Sequence, residues 1–256
     1  MTSKSGTLAI IGLGPGPAKW IAPEAAAALE AASDLIGYQP YLDRIPPHPG
    51  QRRHGSDNRV EVARARDALA LAAGGCHVAV VSGGDPGIFA MAAAVFEAVE
   101  AGDPAWRALD ITVIPGISAM QAAAARLGAP LGHDFCAISL SDNLKPWTVV
   151  ERRLRAAAQG DFVIALYNPA SRARPEQIHL AFSLLRDCKA LSTPVAFARA
   201  VGREDERIVL TTLRTAEPST ADMSTLVLIG SSETRFVERR GRTPWLLTPR
   251  SYGAPR

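Results

Sequence analysis

The stretch CHVAVVSGGDPGIFAMAAAVFEAVEAG, residues 76–102, decides the fold class. Its first nine residues are a short apolar run that ends in two glycines, which is typical of a buried strand. The Ala-rich segment at 87–102 predicts a helix. Gly83, Gly84, Asp85 and Pro86 lie between the two and favour regular structure least, so a loop of special conformation is predicted to join strand and helix.

The same rhythm of short apolar runs and Ala-rich segments extends over most of the chain. It predicts further strands at 7–14, 34–38, 109–116, 134–142, 161–169, 193–202, 206–213 and 225–232. Further helices are predicted at 23–32, 56–75, 118–128, 146–160 and 175–187. The alternation favours a mostly parallel sheet covered on both faces, with an antiparallel portion where the last three strands follow one another. Residues 241–256 are predicted to be irregular, and a domain boundary near residue 116 divides the chain into α/β domains at 1–116 and 117–256.

Composition excludes several classes of protein. Apolar residues make up 47% of the 256 residues, which is too high for a disordered chain. The net charge of +3 comes without a long lysine run, so no nucleic-acid partner is expected. Cys76, Cys136 and Cys188 are far apart, which favours reduced thiols over a disulfide or metal framework. With neither a signal-peptide pattern nor an apolar run of about 18 residues, we expect a cytoplasmic protein without a membrane partner.

Four segments at predicted strand ends carry unusual residues: GLGPGP at 12–17, SGGDPGIFAM at 82–91, IPGISAM at 114–120 and ALYNP at 165–169. The first does not fit a nicotinamide-binding fingerprint, because Pro17 stands where the third glycine belongs. In the second, Asp85 is predicted to accept a hydrogen bond from a hydroxyl or ammonium group. The alternative is that Asp85 only caps a tight turn between strand and helix. Each segment alone has such a plain alternative, but their order along one chain is specific.

Together with TPVAFARAVGREDERIVLTTL at 193–213, these segments resemble the tetrapyrrole methylase family, the class III S-adenosylmethionine-dependent methyltransferases. The resemblance covers about residues 8–231. It implies two α/β domains with the methyl donor in a cleft between them, which is not the Rossmann fold, and it implies a homodimer. Segments such as LIGYQPYLDRI at 35–45 are most similar to members that methylate C17 of precorrin-3B and contract the ring in cobalamin biosynthesis. The alternative substrates are another precorrin or cobalt-factor III.

The resemblance also implies site residues for the donor, which leaves as S-adenosylhomocysteine. The residues implied to bind it are Pro15, Gly83, Gly84, Asp85, Ile88, Phe89, Ser118, Ala119, Tyr167, Asn168, Ala196 and Thr225. Glycines at 83 and 84 are expected to let the backbone approach the donor. No metal is expected.

Ring contraction moves protons, so a general acid or base could assist. His133 and Asp85 are the catalytic candidates, and a loop histidine bonded to the backbone is the alternative role for His133. The tetrapyrrole substrate carries acetate and propionate carboxylates, which arginine binds well. The predicted substrate-binding residues are Tyr38, Tyr41, Arg52, Arg53, His54 and Ser141. Arg52, Arg53 and His54 are placed in a loop, within a wider arginine cluster that includes Arg44, Arg59, Arg64 and Arg66.

Other functions remain open at this point. A non-catalytic protein that binds the donor or a tetrapyrrole would keep the same loops, and a nicotinamide-dependent oxidoreductase is disfavoured by Pro17. Binding of S-adenosylhomocysteine against NAD separates these classes.

Overall fold

The structure, a computed structural model, describes residues 6–57, 60–171 and 173–253. The chain divides into two compact units, unit 1 (Met1–Ala119) and unit 2 (Met120–Arg256). Each unit has its own sheet and its own buried core. Among the described residues, no helix combines the length and the apolar character that crossing a bilayer requires.

Unit 1 alternates strands with helices. Its strands are β1 (Thr7–Gly12), β2 (Asp34–Tyr38), β3 (Arg52–Ser56), β4 (His77–Ser82) and β5 (Asp110–Ile114). Its helices are α1 (Pro23–Ala31), α2 (Gln39–Leu42), α3 (Glu61–Ala73) and α4 (Met91–Ala101). Pro23 occupies the first turn of α1, where its missing N–H costs nothing.

The five strands form one parallel sheet in the order β3-β2-β4-β1-β5. Successive side chains of a strand point to opposite faces. Leu8 and Ile10 of β1 therefore pack with α3 and α4, whereas Ile11 packs with α1 and α2. Helices cover both faces, and the predicted parallel, doubly covered sheet is confirmed.

Two helices of unit 1 begin later than predicted, and one strand was missed. α4 begins at Met91 rather than at residue 87, after a turn in which the Gly87 amide donates to Asp85. α3 begins at Glu61 rather than at residue 56, because β3 continues through Ser56. Residues 58 and 59 of the predicted helix, Arg59 included, lie outside the described residues. The polar edge strand β3 has no apolar pattern from which the sequence could have predicted it.

Unit 2 contains three α-helices, one short 3-10 helix (Pro218–Thr220) and two sheets within the described residues. Its helices are α5 (Ala119–Leu127), which starts at the last residue of unit 1, α6 (Trp147–Gln159) and α7 (Gln177–Cys188). Its strands are β6 (Gly128–Ala129), β7 (Phe135–Ser139), β8 (Val163–Tyr167), β9 (Pro194–Arg199), β10 (Arg207–Thr212), β11 (Thr225–Ile229), β12 (Arg235–Arg239) and β13 (Arg242–Leu247).

The larger sheet of unit 2 has the order β10-β9-β11-β8-β7. β7 and β8 are parallel, and the other neighbours are antiparallel. Phe182 of α7 is fully buried and stacks on Phe197 of β9, in a core shared with α6. The predicted antiparallel portion among the last strands is thus confirmed.

The prediction of an irregular tail is wrong for residues 242–247, which form a strand, and is confirmed for residues 248–253. β12 and β13 form a hairpin, and β13 also pairs with β6. Leu246 is buried, and the Thr248 hydroxyl donates to the Pro130 carbonyl at 2.6 Å. Pro244 and the charged residues in these short strands hide the alternation that would predict them. Residues 254–256 lie outside the described residues.

Candidate functional site

Three loops of unit 1 meet at the carboxyl edge of its sheet, because they follow the adjacent strands β4, β1 and β5. The Gly14 amide donates to the Gly84 carbonyl at 3.1 Å, and the Leu13 amide donates to the Ser82 carbonyl at 2.9 Å. Ligands of open α/β sheets bind outside the carboxyl ends of the strands. These loops carry all the donor residues predicted in unit 1, from Pro15 through residues 83–89 to Ser118 and Ala119.

Glycines allow these loops to pack backbone against backbone. A Cβ atom on Gly116 would lie 2.4 Å from the Gly84 carbonyl oxygen, and one on Gly12 would lie 2.6 Å from the Gly116 nitrogen. Gly84 has a φ of +70°, which side chains rarely adopt, and the nearest atom to its Cβ position is 4.0 Å away. The three loops are therefore tightly joined, while the flank of Gly84 stays open.

Asp85 ties two of these loops together. Its Oδ1 atom accepts from the Gly87 amide at 2.8 Å, and its Oδ2 atom accepts from the Gly116 amide at 3.0 Å. These bonds agree with the alternative of a capped tight turn, and acceptance of a bond from a ligand stays a prediction. A carboxylate offers about four acceptor sites, so each oxygen keeps capacity for a ligand.

Gly83 leaves room for the side chain of Tyr41, and its predicted contact with the donor stays a prediction. A Cβ atom there would lie 2.6 Å from Cζ and 2.8 Å from the hydroxyl oxygen of Tyr41. The Tyr41 ring meets that of Tyr38 edge to face, with 5.4 Å between centroids. Both tyrosines, predicted to bind substrate, thus lie beside the loop that follows β4.

Phe89, beside Ile88 in the same loop, has a φ of +53° and a side chain that is 52% exposed. A non-glycine residue in the left-handed region is uncommon and costs conformational energy. Exposing a large aromatic side chain adds to that cost. Such a combination is typical of functional loops, and the position agrees with the predicted donor site.

Arg44 is a residue of this edge to which the sequence analysis gave no separate role. Its Nη2 atom donates to the carbonyls of Leu13, Gly14 and Gly16 at 2.8–3.1 Å. A pocket of about 220 Å³ adjoins this contact and is lined in part by Pro17. Arg44 therefore fixes the first glycine loop, a role that only the tertiary structure reveals.

The placement of Arg52, Arg53 and His54 in a loop is wrong, because all three belong to β3. Arg52 and His54 contact the fully buried carboxylate of Asp34 at 2.7–2.8 Å. The Arg52 guanidinium holds the pKa of Asp34 well below its usual range, against the opposing effect of burial.

Arg53 donates to the backbone carbonyl of the last residue of α2 and to two carbonyls of the segment that follows it, at 2.7–3.1 Å. All three predicted substrate residues of β3 therefore have partners within the fold. Their predicted substrate role assumed that they lie in a loop, whereas the structure places them in a strand.

In unit 2, the carboxyl ends of β7 and β8 bring further predicted residues together. The Tyr167 hydroxyl accepts from the Met120 amide at 3.1 Å. Asn168 has a φ of +51°, and its Nδ2 atom donates to the Ser139 hydroxyl at 2.9 Å. The Ser141 amide donates to the same hydroxyl at 3.3 Å. Tyr167, Asn168 and Ser141 thus share one edge of this sheet.

The two remaining predicted donor residues, Thr225 and Ala196, lie at different positions along their strands. β11 runs antiparallel to β8, so Thr225 at its start lies at the same edge as Tyr167. The Thr225 hydroxyl donates to Asp222 at 2.8 Å. Ala196 pairs with Leu228 in the middle of the sheet and is fully buried. The structure does not bring Ala196 to this edge.

His133 lies at the opposite edge, just before β7 begins. Its Nε2 atom is 2.9 Å from the Ser231 hydroxyl, and its Nδ1 atom is 3.2 Å from the Asp134 carbonyl. Its ring packs on Tyr252 with 5.1 Å between centroids. Because β7 and β8 are parallel, the length of a strand separates His133 from Tyr167 and Asn168. The geometry agrees with the alternative of a loop histidine bonded to the backbone and does not support a catalytic role.

Comparison with known proteins defines the class. Residues 7–217 match the model of the tetrapyrrole (corrin/porphyrin) methylases. The chain belongs to this family, and its two α/β units have the tetrapyrrole methylase fold.

Individual relatives are more specific. A precorrin-3B C(17)-methyltransferase from Sinorhizobium sp is 57% identical over 97% of this chain and 98% of the relative. The crystal structure of the methyltransferase CobJ has a TM-score of 0.91 and 51% identity, and the match covers 96% of this chain and 100% of that one. A probable cobalt-factor III C(17)-methyltransferase from Salmonella typhimurium is 41% identical over 96% of this chain and 99% of the relative.

Proposed function

We propose that this chain methylates C17 of precorrin-3B, with contraction of the macrocycle, in cobalamin biosynthesis. The observation that carries the proposal is the 57% identity with the Sinorhizobium relative over 97% of the chain. The family defines methyl transfer to a tetrapyrrole as the class of reaction. The relative supplies the substrate and the position, which makes the chain a precorrin-3B C17-methyltransferase.

The donor that we propose is S-adenosylmethionine, released as S-adenosylhomocysteine. The carboxyl edge of unit 1 fits such a group in three respects. The flank of Gly84 is open to a ligand. Asp85 keeps acceptor capacity that suits a hydroxyl group. Phe89 offers a half-exposed aromatic face that suits a base.

In unit 2 we propose Tyr167, Asn168 and Thr225 as donor contacts, since all three lie at one edge of the sheet. Ser118 and Ala119, at the end of the third loop of unit 1, complete the set with Pro15. Ala196 remains a prediction with less support, because it lies in mid-strand.

When bound, S-adenosylmethionine supplies a methyl group that its positively charged sulfur already activates. The chain therefore has to hold donor and acceptor carbon in line, which is where most of the rate enhancement of such a reaction originates. The backbone contacts among Gly12, Gly84 and Gly116 suit this task, because they fix three loops relative to one another before any ligand binds.

Ring contraction requires proton transfer as well. Of the two catalytic candidates, Asp85 has the better geometric support, because it lies at the carboxyl edge among the donor loops. Tyr38 and Tyr41 are proposed to contact the substrate beside the same loop. From the family resemblance we further propose that the chain is a cytoplasmic homodimer. Light scattering of the purified chain tests whether it is a dimer.

The test is incubation of the purified chain with precorrin-3B and S-adenosylmethionine. The expected product carries one added methylene unit by mass spectrometry, and NMR locates the new methyl group at C17. The second candidate substrate is cobalt-factor III, which the Salmonella relative favours. Turnover of cobalt-factor III alone would replace the first proposal by the second.

A further inference from the structure

Beyond the ends of β7 and β8 lies an arginine whose side chain is largely buried and has no short hydrogen bond among the described residues. The Arg174 side chain is only 10% exposed. Its Nη1 atom lies 3.5 Å from the Leu140 carbonyl oxygen and 3.7 Å from Asp142 Oδ1, which is at or beyond the limit of a hydrogen bond. Within the described ranges its Nε atom has no acceptor. A buried guanidinium in this state is costly unless another group completes its bonding.

Among the described residues, the side chains around Arg174 do not supply the missing hydrogen bonds. Gln177 Nε2 donates to Asp142 Oδ2 at 2.9 Å, which holds the carboxylate on the side of Gln177. The Ser171 hydroxyl and Gln177 Oε1 are buried without a hydrogen-bond partner among the described residues. Several polar atoms that natural proteins normally satisfy are thus left open in one place.

Lys145 adds a second cation to this group. Its Nζ atom donates to the Ser141 carbonyl at 2.9 Å, which leaves two of its three protons for other acceptors. Burial, and then the positive charge of Arg153, lower the pKa of Lys145, and Arg174 adds to the effect. The negative charge of Asp142 opposes this effect. Lys145 and Arg174 are two cations at one edge, which favours an anion.

Another arginine of unit 2 shows what a purely structural guanidinium looks like. Arg186 donates from Nε to the Leu213 carbonyl and from Nη2 to the Ala216 carbonyl, both at 2.8 Å. Among the described residues, Arg174 has no comparable bonds although its side chain is only 10% exposed. Arg174 lies next to Leu140, at the same edge of the sheet as Ser141, Tyr167 and Asn168. A ligand of this unit is expected at that edge.

We propose that Arg174 and Lys145 bind a carboxylate of the tetrapyrrole substrate, of the acetate or propionate class. The inference rests on the proposed function, which supplies a substrate rimmed by such carboxylates. A guanidinium fork and an ammonium group together match the acceptor sites of one carboxylate. The Ser171 hydroxyl is a further donor beside them.

Steady-state kinetics of the full chain with Arg174→Gln test the proposal. The KM for precorrin-3B is expected to rise about 10- to 100-fold, the range for one charge-assisted hydrogen bond. The affinity for S-adenosylhomocysteine, measured by calorimetry, is expected to stay within about twofold of wild type. Arg174→Lys is expected to recover part of the loss, because it restores the charge without the fork. Lys145→Gln is expected to raise the KM by a smaller factor.

The matched control is Arg155→Gln on α6, which removes an exposed arginine paired with Glu151 at 3.0 Å. It is expected to leave the KM unchanged, and an equal rise there would assign the effect to net charge and overturn the proposal. Unchanged KM values in both Arg174→Gln and Lys145→Gln would also overturn the proposal. In that case, turnover of precorrin-3B by the wild type would still support the proposed function. If Arg174→Gln fails to fold, the KM of Lys145→Gln alone tests the proposal. If the wild type methylates neither precorrin-3B nor cobalt-factor III, the proposed function falls and takes this inference with it.

Discussion

The two edges of each sheet differ in how their polar groups are satisfied. At the amino edges, charged groups have close partners: Asp34 with Arg52 and His54 in unit 1, and Asp161 with Lys189 and Ser232 in unit 2. At the carboxyl edges several groups lack such close partners. There, glycines replace side chains, the Phe89 ring is half exposed, and the guanidinium of Arg174 lacks short hydrogen bonds among the described residues.

Backbone conformation shows the same difference. Four non-glycine residues among those described have a left-handed φ, and three of them, Phe89, Asn168 and Ala200, follow the carboxyl end of a strand. Asp161, in the turn before β8, is the exception. Strained or incompletely bonded groups persist where binding completes them, so we infer that the carboxyl edges serve function and the amino edges serve stability. Substitutions at the two edges should therefore separate loss of binding from loss of folding.

The largest effect is expected for Gly116→Ala at the carboxyl edge of unit 1. The new methyl group would lie 2.4 Å from a backbone oxygen of Gly84 and 2.9 Å from the backbone of Gly12, and neither can move alone. We expect a loss of about 3 kcal/mol or more in the free energy of unfolding. The clash displaces two of the loops proposed to hold the donor, so binding of S-adenosylhomocysteine, measured by calorimetry, should fall more than about 100-fold.

Gly50→Ala is the control for this change. Gly50 has a φ of +80° but no atom within 4 Å of its Cβ position. Alanine there should cost about 1 kcal/mol of stability through its backbone conformation alone, with unchanged donor binding. Equal loss of binding in both variants would show that destabilisation, and not the carboxyl edge, controls affinity.

Asp85→Asn is expected to have the next largest effect. The amide can replace only one of the two acceptor oxygens that serve Gly87 and Gly116, and its NH₂ group faces the other donor. Loss of a charge-assisted bond predicts a fall of about 10- to 100-fold in affinity for S-adenosylhomocysteine. Wild-type affinity in this variant would mean that the bond between the loops does not shape the donor site.

The sequence predicted the sheet of unit 1 and the loops at its carboxyl edge because both follow from local patterns. Apolar runs define β1, β2, β4 and β5, and Gly-Pro segments mark where the strands end. The sequence did not predict β3 or the β12–β13 hairpin, whose polar residues have no readable period. The catalytic role of His133 stays a prediction, and in the structure the length of a strand separates this residue from Tyr167 and Asn168. The incomplete bonding of Arg174 requires coordinates.

At the amino edge, Asp34→Asn should affect stability alone. The folded state holds the pKa of Asp34 below its ordinary value, so the ionised carboxylate stabilises the fold above about pH 4 and loses this effect as the pH falls further. At neutral pH we expect the substitution to cost about 1–3 kcal/mol in urea unfolding, with a cost that shrinks below about pH 4. Affinity for S-adenosylhomocysteine should not change.

Asp110→Asn is the matched control, because Asp110 is also the first residue of a strand in unit 1 but is exposed. It should leave both stability and its pH dependence near wild type. A pH-independent cost of Asp34→Asn would contradict the role of the buried carboxylate.

The smallest effect is expected for His133→Ala, at the amino edge of unit 2. The change removes one hydrogen bond to Ser231 and the packing on Tyr252, which predicts a cost of about 1 kcal/mol. Ser231→Ala should cost about as much, and the double variant should cost less than the sum of the two, because both remove the same bond. Turnover of precorrin-3B should stay within about twofold of wild type. A tenfold loss of kcat with normal stability would return His133 to the chemistry and break the division between the two edges, since no carboxyl-edge group would have been touched.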